Sequence, residues 1–207
     1  MNKKKYIIPL SLVVEDALSK ALAEKILENS RKRFAVKTVY DRGGVDYIRT
    51  KIRAFNKAAK SIPYFVLADL DRYGCAPDLI KDWLASDNKQ KNLILRIAVK
   101  EAEAWLLADK KNLASYLKIN AGLVPEQIES INDPKTILIN LARRSTSSKL
   151  RSAIVPDVST RSIIGPDYNG VLTNFVRNFW DIREAQKRSD SLRRAIKAIK
   201  KFKPNWQ

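Results

Sequence analysis

The chain predicts an α/β fold, a four-stranded and mainly parallel sheet with helices on both faces, followed by a helical region. Three observations predict it. Ile62-Pro63-Tyr64-Phe65-Val66-Leu67-Ala68 is an unbroken apolar run of strand length, rich in β-branched and aromatic residues, as a strand buried on both faces requires. Strand and helix patterns then alternate through four units before about residue 110, the order that builds a parallel sheet. With 207 residues and 45% apolar content, the chain can bury a sizeable core. The reading divides it into an α/β part over residues 1–116 and a basic helical region over 117–207 packed on it.

Tyr6 to Val14 is apolar apart from Ser11 and holds the first strand, in a register that Pro9 leaves open. Its basic front and apolar centre resemble an export signal. Pro9 and Ser11 interrupt the run, however, and it ends in acids without a cleavage site, so a strand is expected. Leu18, Leu22, Ile26 and Leu27 share one face of a helix from Asp16 to about Asn29. Phe34 to Tyr40 alternates as a second strand, and Asp41-Arg42-Gly43-Gly44 turns into an amphipathic helix over residues 45–60. The paired glycines read as an ordinary turn rather than a phosphate cradle. After the third strand, Pro77 opens a helix to about Ser86. Leu93 to Val99 is the fourth strand, and Lys100 to Asp109 is expected to be helical, with Glu101 and Glu103 in its first turn, where the helix dipole favours acids.

Beyond Leu117 the chain is turn-rich to Ser130, and Pro134 starts a helix ending near Arg143 and Arg144. A polar break precedes Lys149 and Arg151, residues 156–166 read as a loop, and residues 168–180 form an amphipathic helix. Ser189 or Asp190 caps a last helix to Phe202. Arg193, Arg194, Lys197, Lys200 and Lys201 lie along it opposite an apolar stripe. Acids are nearly missing there, which favours a phosphate-tracking surface over a merely solvated face. Trp105 and Trp180 read as core residues rather than base-stacking platforms.

Composition narrows the chemistry. There are 40 Lys+Arg against 22 Asp+Glu, a net charge of +18, which predicts a polyanionic partner, nucleic acid before membrane. The single cysteine, Cys75, excludes a disulfide framework and suits a reducing cytoplasm. Histidine is absent, so Ser-His-Asp and Cys-His systems and histidine zinc sites are excluded. Oxygen-only sites select hard cations, Mg²⁺ or Mn²⁺.

The acids are not scattered. Glu15 follows the first strand, Asp69 and Asp71 the third, and Glu101 and Glu103 the fourth. A parallel sheet brings the carboxyl ends of its strands to one rim, where such folds place their ligands. This convergence predicts a metal site rather than separate caps and turns.

In order and spacing, these acids resemble the signature of a TOPRIM domain, the topoisomerase–primase fold. The likeness is greatest to OLD-type nucleases and small bacterial TOPRIM-like proteins, with EAWLLAD a characteristic stretch. It covers roughly residues 5 to 115. The chain departs from the family pattern where Asp16, not Gly, follows the first Glu, and where Ser19 stands at a position that is Asp in OLD-type enzymes. The resemblance implies a Mg²⁺-dependent nuclease, by family analogy a toxin or phage-defence effector. Asp69 and Asp71 would hold one cation, Glu15 would hold another or orient the water, and Glu103 with Glu101 would complete the shell. Arg42, Arg72 and Lys100 are candidates to neutralise the scissile phosphate, and Arg143, Arg144 and Lys149 extend the nucleic-acid contact set. Many OLD-type proteins work with an ATPase. No GxxxxGK[ST] loop occurs in this chain, so an ATPase would be a separate partner. Two other readings stay open: a non-catalytic nucleic-acid-binding or partner-regulating protein, and a nucleotidyl or phosphoryl transferase.

Overall fold

The computed structural model describes residues 6–206; the basic front of the leading stretch, residues 1–5, lies outside the described residues. Four strands, β1 (Ile7–Val13), β2 (Arg33–Tyr40), β3 (Tyr64–Asp69) and β4 (Leu93–Ala98), form one sheet in the order β2-β1-β3-β4. Every pairing is parallel. Pro9 fits inside β1 because pairing with β3 begins only at Ser11. The Ser11 amide donates to the Pro63 carbonyl, so two residues earlier the donor that proline lacks would have faced a neighbour not yet present. On the other side, Leu10 pairs with Val36 and Ser11 with Thr38, so Lys37 is the extra residue of a bulge in β2.

The helices between the strands are α1 (Ala17–Glu28), α2 (Gly44–Ala58) and α3 (Ala76–Leu84). Asp16 caps α1 by accepting from the Ser19 amide at 2.8 Å. Gly43 enters α2 at φ +93°, where a Cβ would sit 2.8 Å from the Tyr47 Cβ, so glycine is required there. On one face of the sheet, Ile48, Ile52 and Phe55 of α2 and Leu79, Trp83 and Leu84 of α3 pack on Val66, Leu93, Leu95 and Ile97.

The opposite face carries a larger core that is continuous with the second half of the chain. Its centre is α4 (Glu103–Ala108), of which every residue is buried. Trp105 is fully enclosed, donating from Nε1 to the Ser191 Oγ at 2.8 Å, while the Trp180 Nε1 donates to the Trp105 carbonyl. Around α4 pack α5 (Lys110–Leu117), α6 (Pro134–Arg143), α7 (Ser148–Ile154), α8 (Tyr168–Asn178), α9 (Ile182–Arg188) and α10 (Asp190–Lys201). The boundary expected at residue 117 therefore separates no cores. One apolar cluster runs from Ile8 to Phe202.

Two expectations change. The helix expected from Lys100 begins only at Glu103, with Ala102 as its N-cap. The chain turns at Lys100, whose carbonyl accepts from the amides of both Leu70 and Asp71. Two short helices also stand where the pattern predicts none, α7 just after the polar break and α9 ahead of the last helix, capped by Ser147 and Asp181. No helix among the described residues is long and apolar enough to cross a membrane.

Candidate active site

The carboxyl ends of β1, β3 and β4 meet as the topology requires, and acids stand on each. Glu15 lies just beyond β1 and accepts the Asp69 amide on its Oε1 at 2.8 Å. That bond ties the ends of β1 and β3 together. Asp69, the last residue of β3, is half-buried, and its enclosed Oδ1 has no hydrogen-bond partner. Burial, first of all, and then the charges of Glu15, Glu103, Glu101 and Asp16 push its carboxyl well above the ordinary carboxylate range. Glu15 is raised too, by burial first, with Asp16 and Asp71 adding to the effect against the Asp69 amide and Lys135.

The Asp69/Asp71 pair is not two equivalent carboxylates. The strand ends at Asp69, and Asp71 sits in the turn at φ +52° with an exposed side chain. The i, i+2 alignment expected from a continuing strand is therefore absent. The left-handed conformation costs an aspartate less than most residues, and the Lys100 carbonyl fixes the turn.

Glu101 and Glu103 are held differently. Lys135, at the start of α6, donates its backbone N–H to the Glu101 Oε2 at 2.9 Å. Its Nζ lies 3.9 Å from the Glu101 Oε1 and 3.7 Å from the Glu103 Oε1. Tyr168, the first residue of α8, donates its hydroxyl to the Glu103 Oε1 at 2.9 Å. Burial raises the Glu103 carboxyl, with Lys135 opposing. Burial and then Glu103 push the Tyr168 hydroxyl above its ordinary range, so it remains a donor. The Lys135 ammonium is raised because Glu103, Glu101, Asp69 and Asp16 outweigh its burial.

Three residues of this cluster escape a reading of strand ends. Asp16 was assigned only to a helix start, yet it adds to the potential at both Asp69 and Lys135. Lys135 and Tyr168 come from helices far along the chain. Lys135 does leave a trace, because a lysine directly after Pro134 puts a cation where a helix N-terminus disfavours one.

The donor chemistry fits a hard cation on one side of the cluster. Asp69 offers an unpartnered buried oxygen beside Glu15, with Asp71 on the same turn, and oxygen ligands suit Mg²⁺ or Mn²⁺. On the other side, the Lys135 ammonium already supplies the positive charge. As the side chains stand, no three acids or other metal-ligating side chains among the described residues are grouped to share one ion.

Around the rim, Arg42 and Arg72 are exposed and Lys100 is half-buried. Arg143, Arg144 and Lys149 are exposed on α6, the turn after it, and α7. Along α10 the side chains of Arg193, Arg194, Lys197, Lys200 and Lys201 are all exposed, while Leu192, Ile196 and Ile199 are buried. The helix spans about 18 Å. It starts where Ser191 meets Trp105 beneath the rim, and the chain beyond it reaches the amino end of β4, where the Asn205 amide donates to the Asn92 Oδ1. Comparison of the chain with protein-family models, with curated proteins and with solved structures returned no match, so its function is read from this geometry and its chemistry.

Proposed function

We propose that the chain is a TOPRIM-like, divalent-metal-dependent nuclease that hydrolyses nucleic-acid phosphodiesters with Mg²⁺ or Mn²⁺. The reading rests on Asp69, at the end of a parallel strand, whose Oδ1 is buried without a partner, in a chain of net charge +18. Isolating such a group is costly unless a cation meets it. Asp69 would hold the ion together with Glu15 and Asp71. A divalent ion bound there supplies an activated water and stabilises the leaving oxygen, so no histidine base is needed. Glu15 is fixed for its part by the Asp69 amide. Lys135, held by Glu101 and Glu103, is the cation best placed to offset charge on the scissile phosphate. Glu101 and Glu103 would join the ion's shell only if Lys135 moved away. Arg42, Arg72, Lys100 and the α10 face would grip the backbone without reading sequence.

The test is cleavage of single- and double-stranded DNA and RNA with Mg²⁺ or Mn²⁺, comparing the native chain with Asp69→Asn. Cleavage by the native chain, reduced at least about 100-fold in the variant, supports the reading. Equal cleavage by both would exclude Asp69.

A second reading has Lys135 in its favour. An ammonium that already answers Glu101 and Glu103 is what a nucleic-acid-binding protein without catalysis would keep in place of a metal. It predicts salt-sensitive binding and no cleavage with any divalent ion.

A further inference from the structure

A charged residue inside an otherwise apolar strand is unusual, and Arg96 sits in the middle of LILRIA. It lies on β4, the edge strand of the sheet. Its Nε is buried without a partner, and no carboxylate among the described residues is paired with it. The acids nearby are engaged elsewhere. Asp190 pairs with Arg193 and, at 2.5 Å, with the Arg194 Nε. The Glu129 Oε1 accepts from the Ser189 Oγ and the Ser191 amide. Burial and the neighbouring Arg194 both push the Arg96 guanidinium below its ordinary range, the expected response of a cation that lacks an anion.

Arg96 and Arg194 line a cavity of about 260 Å³ together with Glu129 and Asp190, whose carboxylates already have these partners. Leu70 and Val99 form its wall toward the rim, and Cys75 to Pro77, at the start of α3, form another. Cys75, the α3 N-cap, makes no side-chain hydrogen bond and lines the same space. Leu70 lies between Asp69 and Asp71 in sequence, and its amide is bonded to the carbonyls of Ala98 and Lys100. The cavity and the acid cluster therefore share the turn between them.

We propose that this cavity is a phosphate-binding subsite, in which the Arg96 guanidinium takes the phosphate of a nucleotide as a two-pronged donor. A planar fork with an unused donor suits a phosphate oxygen pair better than a point charge would. The volume falls below the roughly 300–1,000 Å³ of typical small-molecule pockets, which favours a phosphate group over a whole base-stacking site. Next to the acid cluster, the subsite would hold the phosphate neighbouring the scissile one. That substrate role rests on the nuclease reading; the binding of phosphate does not.

The test is thermal unfolding in EDTA with increasing inorganic phosphate, with a nucleoside 5′-monophosphate, and with a short oligonucleotide lacking terminal phosphates. The native chain, Asp69→Asn, Arg96→Gln and Arg96→Lys are compared. Phosphate should raise Tm of the native chain and of Asp69→Asn by mass action, should not raise it for Arg96→Gln, and should raise it less for Arg96→Lys. Without phosphate, Arg96→Gln should be at least as stable as the native chain, because it removes an unanswered charge. A shift with the oligonucleotide assigns the site to internal phosphodiesters, and a shift with the mononucleotide alone assigns it to terminal phosphates. The same shift in Arg96→Gln as in the native chain, or none in the native chain, would overturn the site. Should Arg96→Gln not fold, an undiminished shift in Arg96→Lys would do so. With Mg²⁺ present, Arg96→Gln should raise KM for cleavage about 10-fold and change kcat less than about 3-fold. An unchanged KM beside a lost phosphate shift would overturn the substrate role alone.

Discussion

Asp69 and Glu103 are carboxylates on the same rim, the first half-buried and the second buried, and their surroundings treat them in opposite ways. Glu103 has an ammonium 3.7 Å away and a tyrosine hydroxyl donating to it. Asp69 has four carboxylates that, after burial, raise its pKa, and an Oδ1 with no partner. The difference is that between a carboxylate answered within the fold and one that the fold leaves unanswered. A folded chain tolerates the second kind only at a cost, so such groups mark functional sites more often than structural ones.

Asp69→Asn should have the largest effect on this contrast, with divalent-dependent cleavage falling at least about 100-fold while circular dichroism stays native. Next comes Lys135→Met, which would leave Glu103 and Glu101 without their cation, holding only the hydrogen bonds from Tyr168 and the backbone amide of residue 135. Because Lys135 is partly exposed, urea unfolding should register a loss of about 2–3 kcal/mol. Adding Glu103→Gln should restore part of that loss, and strict additivity would mean that the pair is not coupled.

The pH dependence sharpens the comparison at a smaller scale. For an acid raised by folding, the native state binds more protons than the unfolded one between the ordinary value near 4 and the raised value. Its contribution to stability is therefore complete below that window and is lost as pH rises through it. In EDTA, the native chain should lose stability on going from about pH 4 to neutrality. Asp69→Asn should lose less and end ahead of the native chain at pH 7, with a higher Tm. Added Mg²⁺ should close that gap from the native side. Smallest are the α10 cations: Lys197→Ala and Lys200→Ala should each weaken nucleic-acid binding without changing sequence preference. Each should lower the salt slope by about 1, and an unchanged slope would remove α10 from the interface.

Much of this geometry is legible in the residues, for reasons that also explain what is not. A strand buried on both faces has to be apolar throughout, so Tyr64 to Ala68 could hardly be anything else. Parallel connectivity then fixes the edge on which Glu15, Asp69 and Glu103 fall. The helices α7 and α9 leave almost no periodic signal, since only Ile154 in one and Ile182 and Ala185 in the other are buried. The late start of α4 depends on the Lys100 carbonyl serving the β3 turn, a tertiary bond that local propensity does not contain. The stretch from Trp105 to Asp109 resembles a functional motif, yet it is a structural pillar here. Asp109 accepts from the Asp181 amide and from the Asn112 side chain, and Trp105 anchors Ser191. Lys135 and Tyr168 reach the site from α6 and α8 because one core encloses both halves of the chain, and no spacing rule connects residues so far apart. Arg96 is the opposite case, visible in the sequence as a charge inside an apolar strand.

The most direct measurement is a Mn²⁺ titration followed by the electron paramagnetic resonance signal of the free ion, on the native chain and on Asp69→Asn. The account predicts saturable binding by the native chain, weakened at least about 10-fold in the variant, since a carboxylate–cation contact is among the stronger polar interactions a site can make. No saturable binding by the native chain, or equal binding by both proteins, would contradict it.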